Sequence, residues 1–179
     1  MDYLNEKWTL WYRSLDVNHD GDISFADVEE CRNKFVELND IQEEEVQEIK
    51  SDVDKWWTTY ILQSKDASVT LEQFLERLGA EYENDKDEFV QKMTTCFSSL
   101  FNVFDTNDDR EISVEELIIA FKAFGHDNEN LVRHNFELMQ PNDEGTVPLQ
   151  DVVDAWVQFT TCDDPDQKDI VRDSFEEGV

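Results

Sequence analysis

Residues 16–27 read Asp-Val-Asn-His-Asp-Gly-Asp-Ile-Ser-Phe-Ala-Asp, and this stretch decides the fold that the sequence predicts. Oxygen-bearing side chains stand at its first, third and fifth positions, glycine follows at the sixth, and an acid closes it at the twelfth. Such spacing wraps oxygen ligands around a hard divalent cation, and the glycine allows the sharp turn. An acidic turn between two helices is the simpler alternative, but the match at all these positions disfavours it. The stretch therefore predicts a metal site.

Residues 16–27, called loop 1 below, have the spacing of an EF-hand, a helix–loop–helix unit that binds Ca²⁺. The predicted metal ligands are Asp16, Asn18, Asp20, Asp22 and Asp27. Ile23 stands at the eighth position, where two such loops pair through a short β segment.

A second metal loop, loop 3, is predicted at residues 105–116, Asp-Thr-Asn-Asp-Asp-Arg-Glu-Ile-Ser-Val-Glu-Glu. Its predicted metal ligands are Asp105, Asn107, Asp109, Glu111 and Glu116. Arg110 replaces the usual glycine, and a positive φ at this residue costs about 1 kcal/mol. We therefore expect a functional but slightly strained site. Glu116 is long enough to give both oxygens to Ca²⁺, whereas the shorter Asp27 favours Mg²⁺ binding at loop 1 as well.

Two further loops keep the framework but lack most of the acids. In loop 2, residues 62–73, Val69 takes the pairing position, while Leu62, Ser64 and Gln73 stand where ligands are needed. Loop 2 is therefore predicted not to bind metal.

Loop 4, residues 140–151, has Val147 at the pairing position. Gln140 replaces the first acid and Pro148 fills the ninth position, although Asn142 and Asp151 fit the pattern. A retained turn with a chance acid is the favoured interpretation. The chain should therefore bind two Ca²⁺ ions.

Apolar residues recur at helical spacing on both sides of every loop, which predicts an all-α protein of four EF-hand units in two lobes, packed into one compact body. The only β structure expected is a two-residue pairing between the loops of each lobe. We place the first lobe at residues 1–82 and the second at residues 83–179. The second lobe includes an acidic C-terminal tail, in which Ile170 and Phe175 are expected to be apolar anchors. The tryptophan-rich helix faces should form the core.

The composition limits the classes of partner. The chain has 179 residues, 44 acids and 15 bases, for a formal net charge of −29. That charge excludes nucleic acid as a natural partner, argues against anionic membranes and suits a protein that binds cations. Three widely spaced cysteines indicate reduced thiols. The N-terminal sequence resembles no signal peptide and no segment is apolar enough to span a membrane, so we expect a cytoplasmic protein. We also expect it to be a monomer.

Four EF-hand units in this length, the loop 1 pattern ending in Asp27, tryptophan-rich helices and degenerate even-numbered loops resemble the invertebrate sarcoplasmic calcium-binding proteins. The resemblance covers nearly the whole chain and implies a cytosolic Ca²⁺/Mg²⁺ buffer with two lobes packed face to face. Insect juvenile hormone diol kinases look like the same family, so a protein that binds or phosphorylates a lipophilic diol is an alternative. A calexcitin-like Ca²⁺ sensor is another, and coelenterazine-binding photoproteins share the architecture.

The residues favour the buffer over these alternatives. A sensor exposes a methionine-rich groove when it binds Ca²⁺, but this chain has three methionines. A phosphotransferase needs a phosphate cradle, yet the sequence has no glycine-rich phosphate loop and its basic residues are sparse and scattered. The three histidines lack ligand spacing, and His126 and His134 are expected at the surface. A small lipophilic ligand between the lobes stays open as a hypothesis.

Overall fold

A computed structural model describes residues 2–178, most of which lie in helices joined by short loops. The helices are α1 (Asp2–Leu15), α2 (Phe25–Leu38), α3 (Glu43–Trp56), α4 (Leu71–Asn84), α5 (Lys86–Phe104), α6 (Val114–Ala123), α7 (Glu129–Leu138), α8 (Leu149–Thr161) and α9 (Ile170–Glu177). Two short strands, β1 (Glu111–Ser113) and β2 (Thr146–Pro148), complete the described part of the chain. The all-α prediction is confirmed.

The loops pair through their eighth residues, as the sequence predicts. Ile23 and Val69 exchange backbone hydrogen bonds of 3.1 and 2.8 Å, which join loops 1 and 2 through a single antiparallel bridge. In the other half of the chain, β1 and β2 pair antiparallel with Ile112 opposite Val147. This second pairing is three residues long rather than two.

The helix that leaves each of the first three loops begins at a capping box, in which two side chains satisfy backbone N–H groups that the helix cannot. Ser24 with Asp27, Thr70 with Gln73, and Ser113 with Glu116 form these boxes. In every case the two residues occupy the ninth and twelfth loop positions. Loop 4 has Pro148 at its ninth position, and α8 starts without a side-chain cap.

Aromatic side chains fill the interior. Four of the five tryptophans are at most 3% exposed, and Trp156 packs against them partly buried. Trp11 contacts Phe97 of α5 at a ring distance of 5.5 Å, and Trp8 contacts Phe89 at 5.9 Å. The Trp8–Phe89 pair is edge-on, and such an aromatic pair adds roughly 0.5–1.5 kcal/mol beyond its burial. The predicted tryptophan core is confirmed.

The end of α3 departs from a regular α-helix. Residues Trp57–Leu62 continue it as a π-helix, which ends at Gln63 in a left-handed conformation with φ of 65°. The wider turn places Leu62, the first residue of loop 2, in the core with 2% of its surface exposed.

Contacts cross between the two halves of the chain at several points. The Trp56 indole Nε1 donates a 2.9 Å hydrogen bond to the Cys96 carbonyl. Gly125, with φ of +87°, lies so close to loop 1 that an added Cβ would sit 3.3 Å from the Val17 carbonyl oxygen. The division at residues 82 and 83 falls within α4, and Asp85 alone separates α4 from α5. That division stays a prediction.

Helix α9 folds back onto α7 and α8. Phe175 packs against Trp156, Phe159 and His126 at ring distances of 5.7–6.2 Å. Of the two predicted apolar anchors, the other is Ile170. The adjacent Val171 is more deeply buried than Ile170. His126 is half-buried against Phe121 rather than at the surface, because α9 covers it.

A buried ion pair holds the segment that precedes α9. Lys7 Nζ lies 3.1 Å from Asp169 Oδ2, and the two side chains are 1% and 4% exposed. Lys7 also donates a 2.7 Å hydrogen bond to the Cys162 carbonyl. No helix among residues 2–178 has the length and apolarity needed to cross a bilayer.

Candidate metal centre

Loop 1 brings its predicted ligands together around a tightly turned backbone. The Asp16 carboxylate accepts hydrogen bonds from the backbone N–H groups of Asp20 at 3.1 Å and Gly21 at 3.0 Å. Asn18 Oδ1 also accepts from the Asp20 N–H, at 3.1 Å. The Asp20 carboxylate in turn accepts from the Asp22 N–H at 3.1 Å. Oxygens of the first, third and fifth positions therefore face the same turn.

Asp27 closes loop 1 from the first turn of α2. One carboxylate oxygen accepts from the Asn18 N–H at 3.1 Å and the other from the Ser24 N–H at 2.7 Å. The side chain is fully buried, and this burial raises the pKa of the carboxyl, with Asp16 and Asp20 adding to the rise. A buried carboxylate near other carboxylates is destabilised unless a cation joins them.

Loop 3 repeats this arrangement. Asp105 accepts from the N–H groups of Asp109 at 3.2 Å and Arg110 at 2.9 Å. Glu116 accepts from the Thr106 N–H at 3.1 Å and the Ser113 N–H at 2.9 Å. Burial raises the pKa of Asp105, which is 6% exposed. The first and twelfth residues of both loops thus have equivalent roles.

The backbones of the two loops also match at the turn. His19 and Asp108, both at the fourth position, have φ of 58° and 54°, and Gly21 and Arg110, both at the sixth, have φ of 99° and 65°. The left-handed conformation predicted for Arg110 is therefore present. Its guanidinium donates to Asn102 Oδ1 at 2.6 Å, so it is held by an amide outside loop 3.

None of the acids predicted as metal ligands takes part in an ion pair within residues 2–178. Nor do three Asp, Glu, His or Cys side chains form a ready cage in that range. An EF-hand loop supplies an amide and the backbone carbonyl of its seventh residue as well. The donor set fits a hard divalent cation because it consists of oxygen atoms whose charge no basic residue compensates.

The side chain of Glu111, at the seventh position of loop 3, is directed to loop 4. Its Oε2 atom accepts hydrogen bonds from Asn142 Nδ2 at 3.1 Å and from the Thr146 hydroxyl. Glu111, like Asp22 in loop 1, would therefore serve a metal through its backbone carbonyl.

Loop 4 satisfies its own polar groups. Asn142 Oδ1 accepts from the N–H groups of Glu144 at 2.9 Å and Thr146 at 3.1 Å. Asp151, at the twelfth position, is exposed, and within the part of the chain that the structure describes it forms no hydrogen bond comparable to those of Asp27 and Glu116. In loop 2, Gln73 caps α4 through the Thr70 N–H at 3.0 Å and carries no charge. These features support the prediction that neither loop binds metal.

The interior contains little free space. The apolar cavity beneath α9, lined by Trp11, Trp56, Phe97, Trp156 and Phe175 among others, has a volume of about 40 Å³. Pockets that hold a drug-sized molecule usually measure roughly 300–1,000 Å³. The aromatic side chains thus fill the space where a lipophilic ligand was considered.

Comparison with known proteins agrees with this geometry. No family model matches the chain. A curated protein of Mizuhopecten yessoensis, a sarcoplasmic calcium-binding protein, is 49% identical over 175 residues, which cover 98% of this chain and 99% of that protein.

Solved structures show the same fold at lower identity. The calcium-loaded apo form of the coelenterazine-binding protein from Renilla muelleri aligns with a TM-score of 0.75 at 16% identity, covering 97% of this chain and 94% of the other. A calcium-binding protein from Streptomyces coelicolor aligns with a TM-score of 0.63 at 18% identity, covering 88% and 98%. At these identities the likeness concerns the fold alone.

Proposed function

The chain belongs to the sarcoplasmic calcium-binding protein family, and from that premise we propose that it acts in the cytoplasm as a monomeric buffer of Ca²⁺. The observation that carries this proposal is the repeated geometry of loops 1 and 3. Each gathers carboxylate and amide oxygens around a left-handed turn, and no basic residue of the described range 2–178 forms an ion pair with these carboxylates.

We assign one ion to each of these loops, two in all. The side chains of the first, third, fifth and twelfth residues and the backbone carbonyl of the seventh would hold it. In loop 1 these residues are Asp16, Asn18, Asp20, Asp22 and Asp27; in loop 3 they are Asp105, Asn107, Asp109, Glu111 and Glu116. A bound cation would supply charge compensation to carboxylates whose burial now raises their pKa.

The two sites should differ in their choice of ion. Mg²⁺ requires a near-octahedral shell at about 2.0–2.1 Å, whereas Ca²⁺ accepts a seventh oxygen from a carboxylate that binds with both oxygens. Both twelfth residues are anchored at both oxygens by backbone N–H groups, but Asp27 is one methylene shorter than Glu116 and reaches less far toward the centre of its loop. Mg²⁺ is therefore expected to compete better at loop 1 than at loop 3.

Calorimetric titration of metal-free protein with Ca²⁺ tests this proposal. We expect saturation at two ions per chain, and at one ion for either Asp16→Ala or Asp105→Ala. Asp151→Ala removes an acid from the twelfth position of loop 4 and serves as the matched control, which should still bind two ions. A third tight ion, or the loss of one ion in the control, would contradict the inactivity of loop 4.

A sensor role would require apolar surface to open when Ca²⁺ binds. Here α9 already covers the groove between α7 and α8, and Phe175 fills its aromatic end. Ca²⁺ should therefore lower the binding of a hydrophobic dye. A strong Ca²⁺-dependent rise in dye fluorescence would place the protein among the sensors.

A further inference from the structure

An open pocket of about 620 Å³ lies between α2, the end of α3 and loop 2. We call it the lysine pocket. The lining residues that matter here are Arg32, Lys50, Ser51, Asp54, Lys55 and Lys65. They come from three separate segments of the sequence, α2, α3 and loop 2, and the fold brings them to one surface.

The charge of the lysine pocket is opposite to that of the protein. Its charged lining consists of four basic side chains and the single carboxylate of Asp54, which gives a net formal charge of +3. The whole chain carries −29, with 15 bases among 44 acids. On such a surface most bases are expected to have an acid beside them. At this pocket the electrostatic potential should therefore be positive, opposite in sign to that of the rest of the protein surface.

The one carboxylate in the pocket is already engaged. Arg32 Nη1 donates to both oxygens of Asp54, at 2.8 and 2.6 Å. Lys50, Lys55 and Lys65 form no ion pair with any acid among residues 2–178. Three ammonium groups thus share one pocket without a counter-charge.

Two of the cations also share one aromatic ring. Lys65 Nζ lies 5.4 Å from the centre of the Phe25 ring, and the Arg32 guanidinium carbon lies 5.5 Å from it. Cation–π contacts fix these side chains at the pocket wall. Because like charges repel, an anion between them would lower the energy of the arrangement.

We propose that the lysine pocket binds the dianionic phosphate group of a phosphate monoester. A phosphate monoester carries about two negative charges at neutral pH and three strong acceptor oxygens, which match three free ammonium groups better than a carboxylate would. Lysine binds phosphate as a compact point charge without a fixed angle. The volume of the pocket is within the range of small-molecule sites.

This pocket corrects one expectation from the sequence, in which basic residues appear sparse and scattered. Lys65 lies in loop 2, the unit that has lost its acids, and Lys50 and Lys55 lie in the helix that enters it. The same unit that cannot hold a cation therefore presents positive charge.

Nuclear magnetic resonance titration of the calcium-saturated protein with phenyl phosphate tests the proposal, with sodium chloride at equal ionic strength as the reference. We expect saturable shifts at the amides of the lysine pocket with one site per chain. The triple variant Lys50→Gln, Lys55→Gln, Lys65→Gln should weaken binding at least about tenfold. The control triple variant Lys34→Gln, Lys86→Gln, Lys168→Gln makes the same change in net charge elsewhere and should bind as the parent does.

A second arm identifies the source of the phosphate. Vesicles of phosphatidylcholine with and without phosphatidylinositol 4-phosphate are tested for sedimentation of the protein. Binding of either phenyl phosphate or the phosphoinositide vesicles, lost in the pocket variant alone, supports the proposal and tells a soluble ligand from a lipid headgroup. Equal loss in both triple variants, or no binding in either arm, overturns it. Both variants should still take up two Ca²⁺ ions, so this outcome is separable from a failure of the metal sites.

Discussion

At the residue scale, the twelfth position of loops 1 and 3 joins folding to metal binding. Asp27 and Glu116 each accept a backbone N–H hydrogen bond from the first three residues of the loop and another from the ninth residue. One oxygen of each carboxylate thus caps the following helix, and the same carboxylate stands where a cation would be held. Their difference in length is therefore the main chemical difference between the sites.

Exchange of these lengths should exchange ion preference. Asp27→Glu should raise the preference of loop 1 for Ca²⁺ over Mg²⁺, because the longer side chain can present both oxygens to the larger ion. Glu116→Asp should have the reverse effect at loop 3. Competition titrations with Mg²⁺ measure both changes. An unchanged Mg²⁺ competition in the two variants would show that carboxylate length does not set the selectivity.

Asn135 is a second residue with a measurable effect. It lies in α7 beneath α9 and is 7% exposed, and neither its Nδ2 nor its Oδ1 atom has a hydrogen-bond partner among residues 2–178. A buried polar group without a partner costs about 1–3 kcal/mol. Asn135→Leu should therefore increase the free energy of unfolding by about 1 kcal/mol, measured by urea denaturation.

Asn128 provides the contrasting control on the same helix. Its side chain caps α7 by accepting from the Leu131 N–H at 3.3 Å. Asn128→Leu should lower the free energy of unfolding by about 1 kcal/mol. A loss of stability in both variants would indicate that Asn135 has a partner, such as ordered water.

Residue-level pattern alone was enough to predict the left-handed turn of loop 3 and the pairing of the loops through their eighth residues. Position within a twelve-residue loop fixes the environment of Asp16 or Ile23, because the local backbone determines it. Asn135 could not be identified in the same way. Its lack of partners depends on the packing of α9, which is distant in sequence.

At the element scale, α9 is tied to the N-terminal helix by the buried pair of Lys7 and Asp169. Asp169 also caps α9, since its Oδ1 atom accepts from the Arg172 N–H at 3.0 Å. Loss of one buried partner leaves the other charge uncompensated, which costs roughly 3–5 kcal/mol. The ion pair thus holds the start of α9, in addition to the packing of the helix on α7 and α8.

Lys7→Met should destabilise the protein by about 3 kcal/mol, because it leaves the Asp169 carboxylate buried without its cation. The double variant Lys7→Met, Asp169→Asn should recover part of this loss, since asparagine is neutral and can still cap the helix. Chemical denaturation of the single and double variants measures the coupling. Lys34→Met breaks the exposed pair with Glu30 and should change stability by less than about 0.5 kcal/mol. If the changes in stability caused by Lys7→Met and by Asp169→Asn simply add up in the double variant, the two side chains are not coupled.

The sequence predicted most elements but not their irregularities. Apolar spacing located the helices on both sides of each loop, because amphipathic faces are a local property. The π-helical end of α3 was not predicted, since it arises where Leu62 turns into the core. The lysine pocket was also missed, because its residues meet only after α2 and α3 pack.

At the scale of the whole molecule, the charge of −29 sets the response to metal and salt. Carboxylates gathered in loops 1 and 3 repel one another and the rest of the acidic surface. A cation that binds only the folded state stabilises it by about 2.7 kcal/mol per site at a hundredfold excess over the dissociation constant.

Removal of Ca²⁺ by a chelator should therefore lower the melting temperature by roughly 10–20 °C for two sites in a chain of this size. Potassium chloride should restore part of the loss, because it screens the repulsion. Scanning calorimetry measures both effects, and the same salt added to the calcium-loaded protein should have a smaller effect. Identical melting with and without chelator would contradict the assignment of the metal sites.

The contact between Gly125 and Val17 relates the two halves of the chain in a way that a protein engineer could use. Val17 is the second residue of loop 1 and is 2% exposed, while Gly125 follows α6 in the other half with φ of +87°. One added carbon at position 125 would be both strained and pressed against the Val17 carbonyl oxygen. A single methyl group placed there would thus push on the backbone of loop 1, which lies about a hundred residues earlier in the sequence.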